Sequence, residues 1–281
     1  MTREPSPPAG VVAASRSPVS GSAGPLADVD AVFLDLDGCV WFGEQLADGA
    51  IDLVRDLRAS GRRVGFLTNT SNSHPEQVAA KLRRLGIPAA VADVIMPIEA
   101  LAEHPWLRCR PRVWFLGPPQ LRQAVAQVTP IASTPEEAEL LVLGRDPAMT
   151  YADLSDALQV LVRGGGLLAL NVDARLPVEG GRMLPGTGAI AAALTYASGV
   201  RPEVVGKPAK VFFEAALRRL GVTAERSVIV GDTLDSDIAG GAAVGMRTVL
   251  VGDAVPSSLD PAPVPDVHVA ALRDVRALFP A

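Results

Sequence analysis

The residues best suited to chemistry are carboxylates that directly follow short apolar runs. In AVFLDLDGCVW, Asp35 and Asp37 stand at and just beyond the end of the run over 31–35. Acids this close repel one another, and a hard divalent cation that prefers oxygen ligands makes the crowding tolerable. Gly38 follows, a residue that lets the backbone turn sharply and aim amide groups at an anion. A second run ends in the same way, with VIVGDTLDSDIAGG carrying Asp232, Asp235 and Asp237. One of Asp235 and Asp237 reads as the N-terminal cap of the helix that follows. Two separate acidic strand ends nevertheless suit one shared cation site. A third run, RVGFLTNTSNS, ends in Thr68, Asn69, Thr70, Ser71 and Asn72, whose hydroxyls, amides and backbone N–H groups suit a phosphoryl group. Ser73 reads instead as a cap for the helix after Pro75. Lys207, between Gly206 and Pro208 and just ahead of a helical stretch, offers a compact cation able to contact a phosphate oxygen and a carboxylate together.

Positioning these groups requires a sheet. Apolar runs over 31–35, 63–67, 112–116, 139–143, 167–170, 227–231 and 247–251 read as buried strands. Between them, helical periodicity covers 49–60, 75–85, 151–163, 188–198, 209–220 and 236–244. Such alternation predicts an α/β protein with parallel sheets covered on both faces. The polar residues collect just after the strands, at the carboxyl ends where open α/β sheets bind ligands. Residues 1–27 hold five Pro and five Ser with no apolar period, which predicts a disordered tail. That stretch lacks the continuous apolar segment of a secretory signal.

Composition narrows the partners. Of 281 residues, 26 Lys+Arg stand against 31 Asp+Glu, a net charge of −5 that argues against nucleic acid or an anionic membrane as the main partner. No apolar run approaches the roughly 20 residues needed to span a bilayer. Two cysteines, Cys39 and Cys109, cannot build a disulfide framework, and the chain reads as cytoplasmic. Cys39 reads as a small packing residue, and Trp41 and Trp114 as core or interface residues. The run PGTGAIA over 185–191 superficially matches a dinucleotide fingerprint but lacks a strong preceding strand. There is no Walker A loop ahead of Lys207.

Taken in order, D-x-D-G, Thr-Asn, Lys and G-D-x-x-x-S-D resemble the haloacid dehalogenase superfamily of aspartate-nucleophile phosphatases. The segments TNTSN, NVDARLPVEGGRMLPGTGA and VVGKPAKVFFEAAL place the resemblance with its NagD-like, p-nitrophenylphosphatase-like branch. The likeness runs from about residue 30 to 278. It implies a Rossmann-like core over 28–96 and 203–281, with an α/β cap inserted over 97–202.

By this resemblance the chain is a Mg²⁺-dependent phosphomonoester hydrolase. Asp35 would be the nucleophile and Asp37 the general acid and base. Mg²⁺ would be held by Asp35, the Asp37 carbonyl and Asp232, with Asp237 in support through water. Thr68, Asn69, Lys207 and Gly38 would bind the phosphate. The cap loop carrying Asp173, Arg175 and Leu176 would select the substrate, with Arg182 a further candidate. Relatives acting on pyridoxal phosphate or phosphoglycolate place His at the position of Leu176, so a small polyol phosphate such as glycerol 3-phosphate is favoured over phosphoglycolate or p-nitrophenyl phosphate. The partners implied are a small phosphorylated metabolite and, as often in capped relatives, a second copy joined through the cap. A phosphomutase or a non-catalytic phosphometabolite-binding protein is the alternative. Two positions depart from the pattern: Asp235 is acidic where relatives are usually neutral, and Asn72 stands where several carry Arg.

Overall fold

A computed structural model describes residues 24–177, 182–253 and 256–279. The chain opens with strand β1 (Ala31–Asp35), the hairpin strands β2 (Trp41–Phe42) and β3 (Gln45–Leu46), helix α1 (Ala50–Ala59), strand β4 (Arg63–Leu67), helix α2 (Pro75–Arg84), strand β5 (Val94–Ile95) and the short helix α3 (Pro97–Ala100). An inserted region follows, with β6 (Val113–Leu116), α4 (Arg122–Val128), β7 (Leu140–Leu143), α5 (Tyr151–Val162), β8 (Gly166–Ala169), β9 (Arg175–Pro177), β10 (Met183–Pro185), α6 (Thr187–Ser198) and β11 (Pro202–Val204). The chain then returns through α7 (Lys210–Leu220), β12 (Ser227–Gly231), α8 (Ala239–Val244), β13 (Arg247–Val251) and β14 (Val267–Val269).

Two parallel sheets result. The larger has the order β14-β13-β12-β1-β4-β5 and the smaller β11-β8-β7-β6. In the larger sheet every residue of β1 and β12 is buried, as expected of central parallel strands covered on both faces. Helix α1 shows how the cover is made: Ala50, Leu53, Val54 and Leu57, at helical spacing, form its buried stripe. Helix α5 is set by a reciprocal cap, in which the Thr150 hydroxyl accepts from the Asp153 amide at 3.3 Å and the Asp153 carboxylate accepts from the Thr150 amide at 2.8 Å.

The carboxyl ends of the two sheets face each other. The Arg145 amide beyond β7, the Asn171 side chain beyond β8 and the Gln120 side chain beyond β6 all donate into the Asn69–Asn72 loop beyond β4. The polar loop after β4 therefore lies along this seam.

Three boundaries differ from those expected. Residues 1–23 of the expected tail lie outside the described residues, but Leu26 is buried and its amide donates to the Leu278 carbonyl at 3.1 Å, so the folded chain begins before residue 28. One leucine among Pro, Gly and Ala gives no periodic signal. The smaller sheet also runs past residue 202, because β11 pairs with β8 through Val204. At the other end, α3 packs against α7 on the side of the larger sheet rather than with the insert. A three-residue strand that starts at proline leaves no hydropathic trace.

Candidate active site

Strand β1 delivers Asp35 and strand β12 delivers Asp232, their two strands lying side by side in register. Asp237 reaches the same point from a single wide helical turn, Leu234–Ile238, in which Thr233 O accepts from both the Asp237 and Ile238 amides. Wide turns of this kind are frequent at functional sites because they re-aim a side chain. One oxygen from each of Asp35, Asp232 and Asp237 lies within 4.8 Å of the others. Gly38 makes room for them: its φ is +96°, and a Cβ there would collide with the Asp232 carboxylate.

One cation balances this cluster. Lys207 lies just past the end of β11, buried, and its Nζ donates to Asp35 and, at 2.7 Å, to Asp237. Burial alone would favour the neutral amine, but the Asp237 and Asp35 charges outweigh it and hold Lys207 firmly protonated. Asp35 shows the opposite balance. Its burial pushes the carboxyl well above the usual range, against the pull of Lys207 and with Asp237 and Asp232 pushing the same way. Burial also raises Asp232, again reinforced by Asp237. Three carboxylates crowded around one ammonium are short of positive charge, and an all-oxygen donor set is what a hard divalent cation requires.

Asp37 points to the solvent side and is held at both oxygens. Trp41 Nε1 donates to Oδ1 at 2.8 Å, and Thr68 Oγ1 donates to Oδ2 at 3.1 Å. The Thr68 oxygen also accepts from the Thr70 amide at 3.1 Å. Asn69 forms a bracket. Its Oδ1 accepts from the Lys207 amide at 2.8 Å, while its Nδ2 donates to the Lys207 carbonyl at 3.2 Å and to Asp173 at 3.1 Å. Gly206 allows this approach, since a Cβ there would lie 2.5 Å from the Asn69 oxygen.

The family described as haloacid dehalogenase-like hydrolase matches residues 32–129, and that described as HAD-hydrolase-like matches 204–275. Glycerol-3-phosphate phosphatase of Homo sapiens is 36% identical over 257 residues, which cover 80% of this chain and 79% of that protein. The chain belongs to the haloacid dehalogenase-like hydrolases. The crystal structure of a glycerol phosphate phosphatase from Mycobacterium tuberculosis in complex with magnesium superposes with a TM-score of 0.81 at 32% identity, covering 91% of this chain and 78% of that one. The p-nitrophenyl phosphatase from Archaeoglobus fulgidus gives a TM-score of 0.78 at 29% identity, covering 89% and 98%. Within the family the chain is a phosphatase.

Asp173 reaches the seam from the insert through its bond to Asn69. Arg175 and Leu176 lie on β9, where Leu176, half-buried, pairs with Leu184 of β10. Residues 178–181 of that loop lie outside the described residues, and Arg182 is exposed. The glycines of PGTG serve packing: the Gly186 and Gly188 amides donate to the Ala174 and Asp173 carbonyls, each at 3.0 Å. Asp235 binds the 257–258 segment, accepting from the Ser257 hydroxyl and from the Ser258 hydroxyl and amide, and the Ser257 bond above all lowers its carboxyl. Cys39 is buried beneath β12 with its thiol pushed up by burial, consistent with packing. Trp114 packs in the insert's own apolar cluster.

Two contacts leave no trace in the sequence pattern. Trp41 is buried as expected, yet its indole N–H is bound to Asp37. The Asn69 side chain is occupied by Lys207 and Asp173, which leaves for an anion the backbone amide that the resemblance points to. Asn171 was not singled out, although its Nδ2 donates to the Asn69 carbonyl at 2.6 Å and to Ser71 Oγ at 3.1 Å. Its position directly after a strand was the available signal.

Proposed function

We propose that this hydrolase is a Mg²⁺-dependent phosphomonoesterase that acts on a small phosphorylated metabolite, with glycerol 3-phosphate or a similar polyol phosphate favoured, through an aspartyl-phosphate on Asp35. The observation that carries the proposal is the buried Asp35–Lys207–Asp237 arrangement beside Asp232, with Asp37 tethered one turn away. Asp35, Asp232 and the Asp37 backbone carbonyl would hold the cation, with Asp237 beside them. Bound there, it would offset the repulsion between the carboxylates and a phosphate dianion.

The side chains supply the rest. Asp35 attacks phosphorus, and Asp37 protonates the departing alcohol and then takes a proton from the attacking water. Lys207 faces the non-bridging phosphate oxygens while fixed by Asp237, so positioning and charge neutralisation carry most of the catalysis. Thr68 and the Asn69 amide complete the phosphate cradle, while the Gly38 amide, expected there from the sequence, is held by the Trp41 carbonyl at 2.9 Å. The insert acts as a cap, residues 97–202 in the sequence reading, that excludes water and selects the leaving group through Asp173, Arg175 and Leu176.

We place the enzyme in the cytoplasm, in keeping with two free cysteines, and as a homodimer through the cap, where Tyr196 stands 95% exposed. Among the described residues no helix is long and apolar enough to cross a membrane. Phosphate release should be measured across glycerol 3-phosphate, phosphoglycolate, pyridoxal phosphate, nucleotides and sugar phosphates. The expected result is Mg²⁺-dependent turnover with polyol phosphates ahead. Wild-type turnover of p-nitrophenyl phosphate by Asp35→Asn would overturn the proposal.

A further inference from the structure

Asp37 is gripped by two donors of different kinds. Trp41 offers an indole N–H, a donor that can never accept, to Oδ1 at 2.8 Å. Thr68 offers a hydroxyl, which rotates between donating and accepting, to Oδ2 at 3.1 Å. The indole has little freedom to reorient. Trp41 is 3% exposed and belongs to the main apolar core, and Lys81 Nζ sits 4.0 Å from the ring centroid. Lys81 is itself tied to the Gly43 carbonyl at 2.8 Å, so helix α2 clamps the β2–β3 hairpin over the indole. The Gly38 amide also donates to the Trp41 carbonyl at 2.9 Å, which closes the turn between Asp37 and its donor.

We propose that Trp41 is a positioning residue that fixes which oxygen of Asp37 carries the transferable proton. A carboxyl oxygen that bears a proton is a poor acceptor, so the fixed N–H at Oδ1 directs the proton to Oδ2. Thr68 is compatible with either state, donating to Oδ2 when it is bare and accepting from it when it is protonated. In the first half-reaction the Oδ2 proton passes to the ester oxygen as its bond to phosphorus breaks and the bond from Asp35 forms. In the second half-reaction water bonds to phosphorus, the bond to Asp35 breaks, and a water proton returns to Oδ2. Trp41 touches neither substrate nor phosphorus. It acts by keeping one oxygen of Asp37 aimed and the other committed.

This rests on the reading of Asp37 as general acid, and the test separates the two. The value of kcat/KM, which reports steps through departure of the alcohol, is compared for glycerol 3-phosphate and p-nitrophenyl phosphate. An alkyl alcohol needs protonation to leave, whereas p-nitrophenolate needs little. Trp41→Phe is expected to lower kcat/KM for glycerol 3-phosphate by about tenfold or more, part of the 10²–10⁴-fold that general acids contribute, and that for p-nitrophenyl phosphate by less than about threefold. In an Asp37→Asn background the same substitution is expected to change nothing further. Equal losses on both substrates, or an undiminished loss without Asp37, overturn the assignment of Trp41 and leave Asp37 standing. An Asp37→Asn enzyme that hydrolyses glycerol 3-phosphate at the wild-type rate overturns the underlying reading. Should Trp41→Phe not fold, benzothienylalanine at position 41 keeps the bicyclic ring, deletes only the N–H donor, and is held to the same split.

Discussion

The two sheets of this phosphatase meet at their carboxyl ends but bring opposite chemistry to the meeting. The larger sheet contributes acids: Asp35 beyond β1 and Asp232 and Asp237 beyond β12, all within one small cluster. The smaller sheet contributes the Arg145 amide, the Asn171 and Gln120 side-chain amides, one carboxylate from Asp173 and, just beyond β11, the buried ammonium of Lys207. The site is therefore assembled across the seam rather than carried by either half. Charge that would be intolerable on one side is balanced from the other, which ties the catalytic state to the docking of the insert.

The sharpest way to break this division is to remove an acid. Asp35→Asn should lower turnover by at least about 10³-fold, as expected when a covalent nucleophile is lost, with phosphate release as the assay. The same variant should melt at a higher temperature than wild type in EDTA. Burial holds the Asp35 carboxyl well above its ordinary range, so its ionised form at neutral pH weighs against folding, and the neutral amide relieves that.

Removing the cation should do the reverse. Lys207→Met leaves three buried or half-buried carboxylates with no partner ammonium, and loss of one side of a buried pair typically destabilises by about 3–5 kcal/mol. Thermal unfolding should show this loss in EDTA and partial recovery with added Mg²⁺, more recovery than wild type shows. Equal melting temperatures for the two proteins would mean that the acids, not Lys207, are protonated and self-sufficient.

The seam itself is tested more gently. Asn171→Ala deletes two donations from the insert to the Asn69–Ser71 loop and the acceptor of the Asp173 amide at 3.2 Å, while leaving every carboxylate contact in place. Leaving buried acceptors unmatched costs about 1–3 kcal/mol, and the kinetic effect should fall on KM more than on kcat. A fall confined to kcat would place Asn171 with the chemistry instead.

These contrasts also mark what was legible in the chain. The strands over 31–35, 63–67, 227–231 and 247–251 are readable to the residue because central parallel strands are continuous apolar runs. The clustered acids Asp35 and Asp232 are readable because they end those runs abruptly. Edge strands β5, β11 and β14, two or three residues long, carry no such signal, and the packing of Leu26 ahead of the expected boundary shows only one apolar side chain to the sequence pattern. Asn171 and the N–H of Trp41 escaped for a different reason. Their roles depend on partners distant in sequence or on the orientation of a ring, and neither leaves a spacing pattern. The selectivity of the cap loop stays furthest from view, because a half-buried Leu176 paired in a hairpin presents packing and recognition in the same residue.

The gentlest test concerns the place where the chain crosses from one sheet to the other. His104 lies between α3 and β6, buried, with its Nδ1 accepting from the Trp106 amide at 3.3 Å and its ring edge-on to Trp106 at 5.7 Å. Burial lowers its pKa, only partly opposed by Glu203 on β11, where the chain leaves the insert. A depressed imidazole means that the folded state prefers the neutral form. Its contribution is therefore fully present above the ordinary histidine value of about 6.5 and drains away as pH falls from there toward the lower folded-state value. The slope from one proton cannot exceed about 1.4 kcal/mol per pH unit, so the effect on melting temperature is small and confined to that window. His104→Asn retains an acceptor for the Trp106 amide but does not titrate there, and should flatten this segment of the profile. An unchanged slope in the variant would move the acid sensitivity away from the crossing and onto other groups.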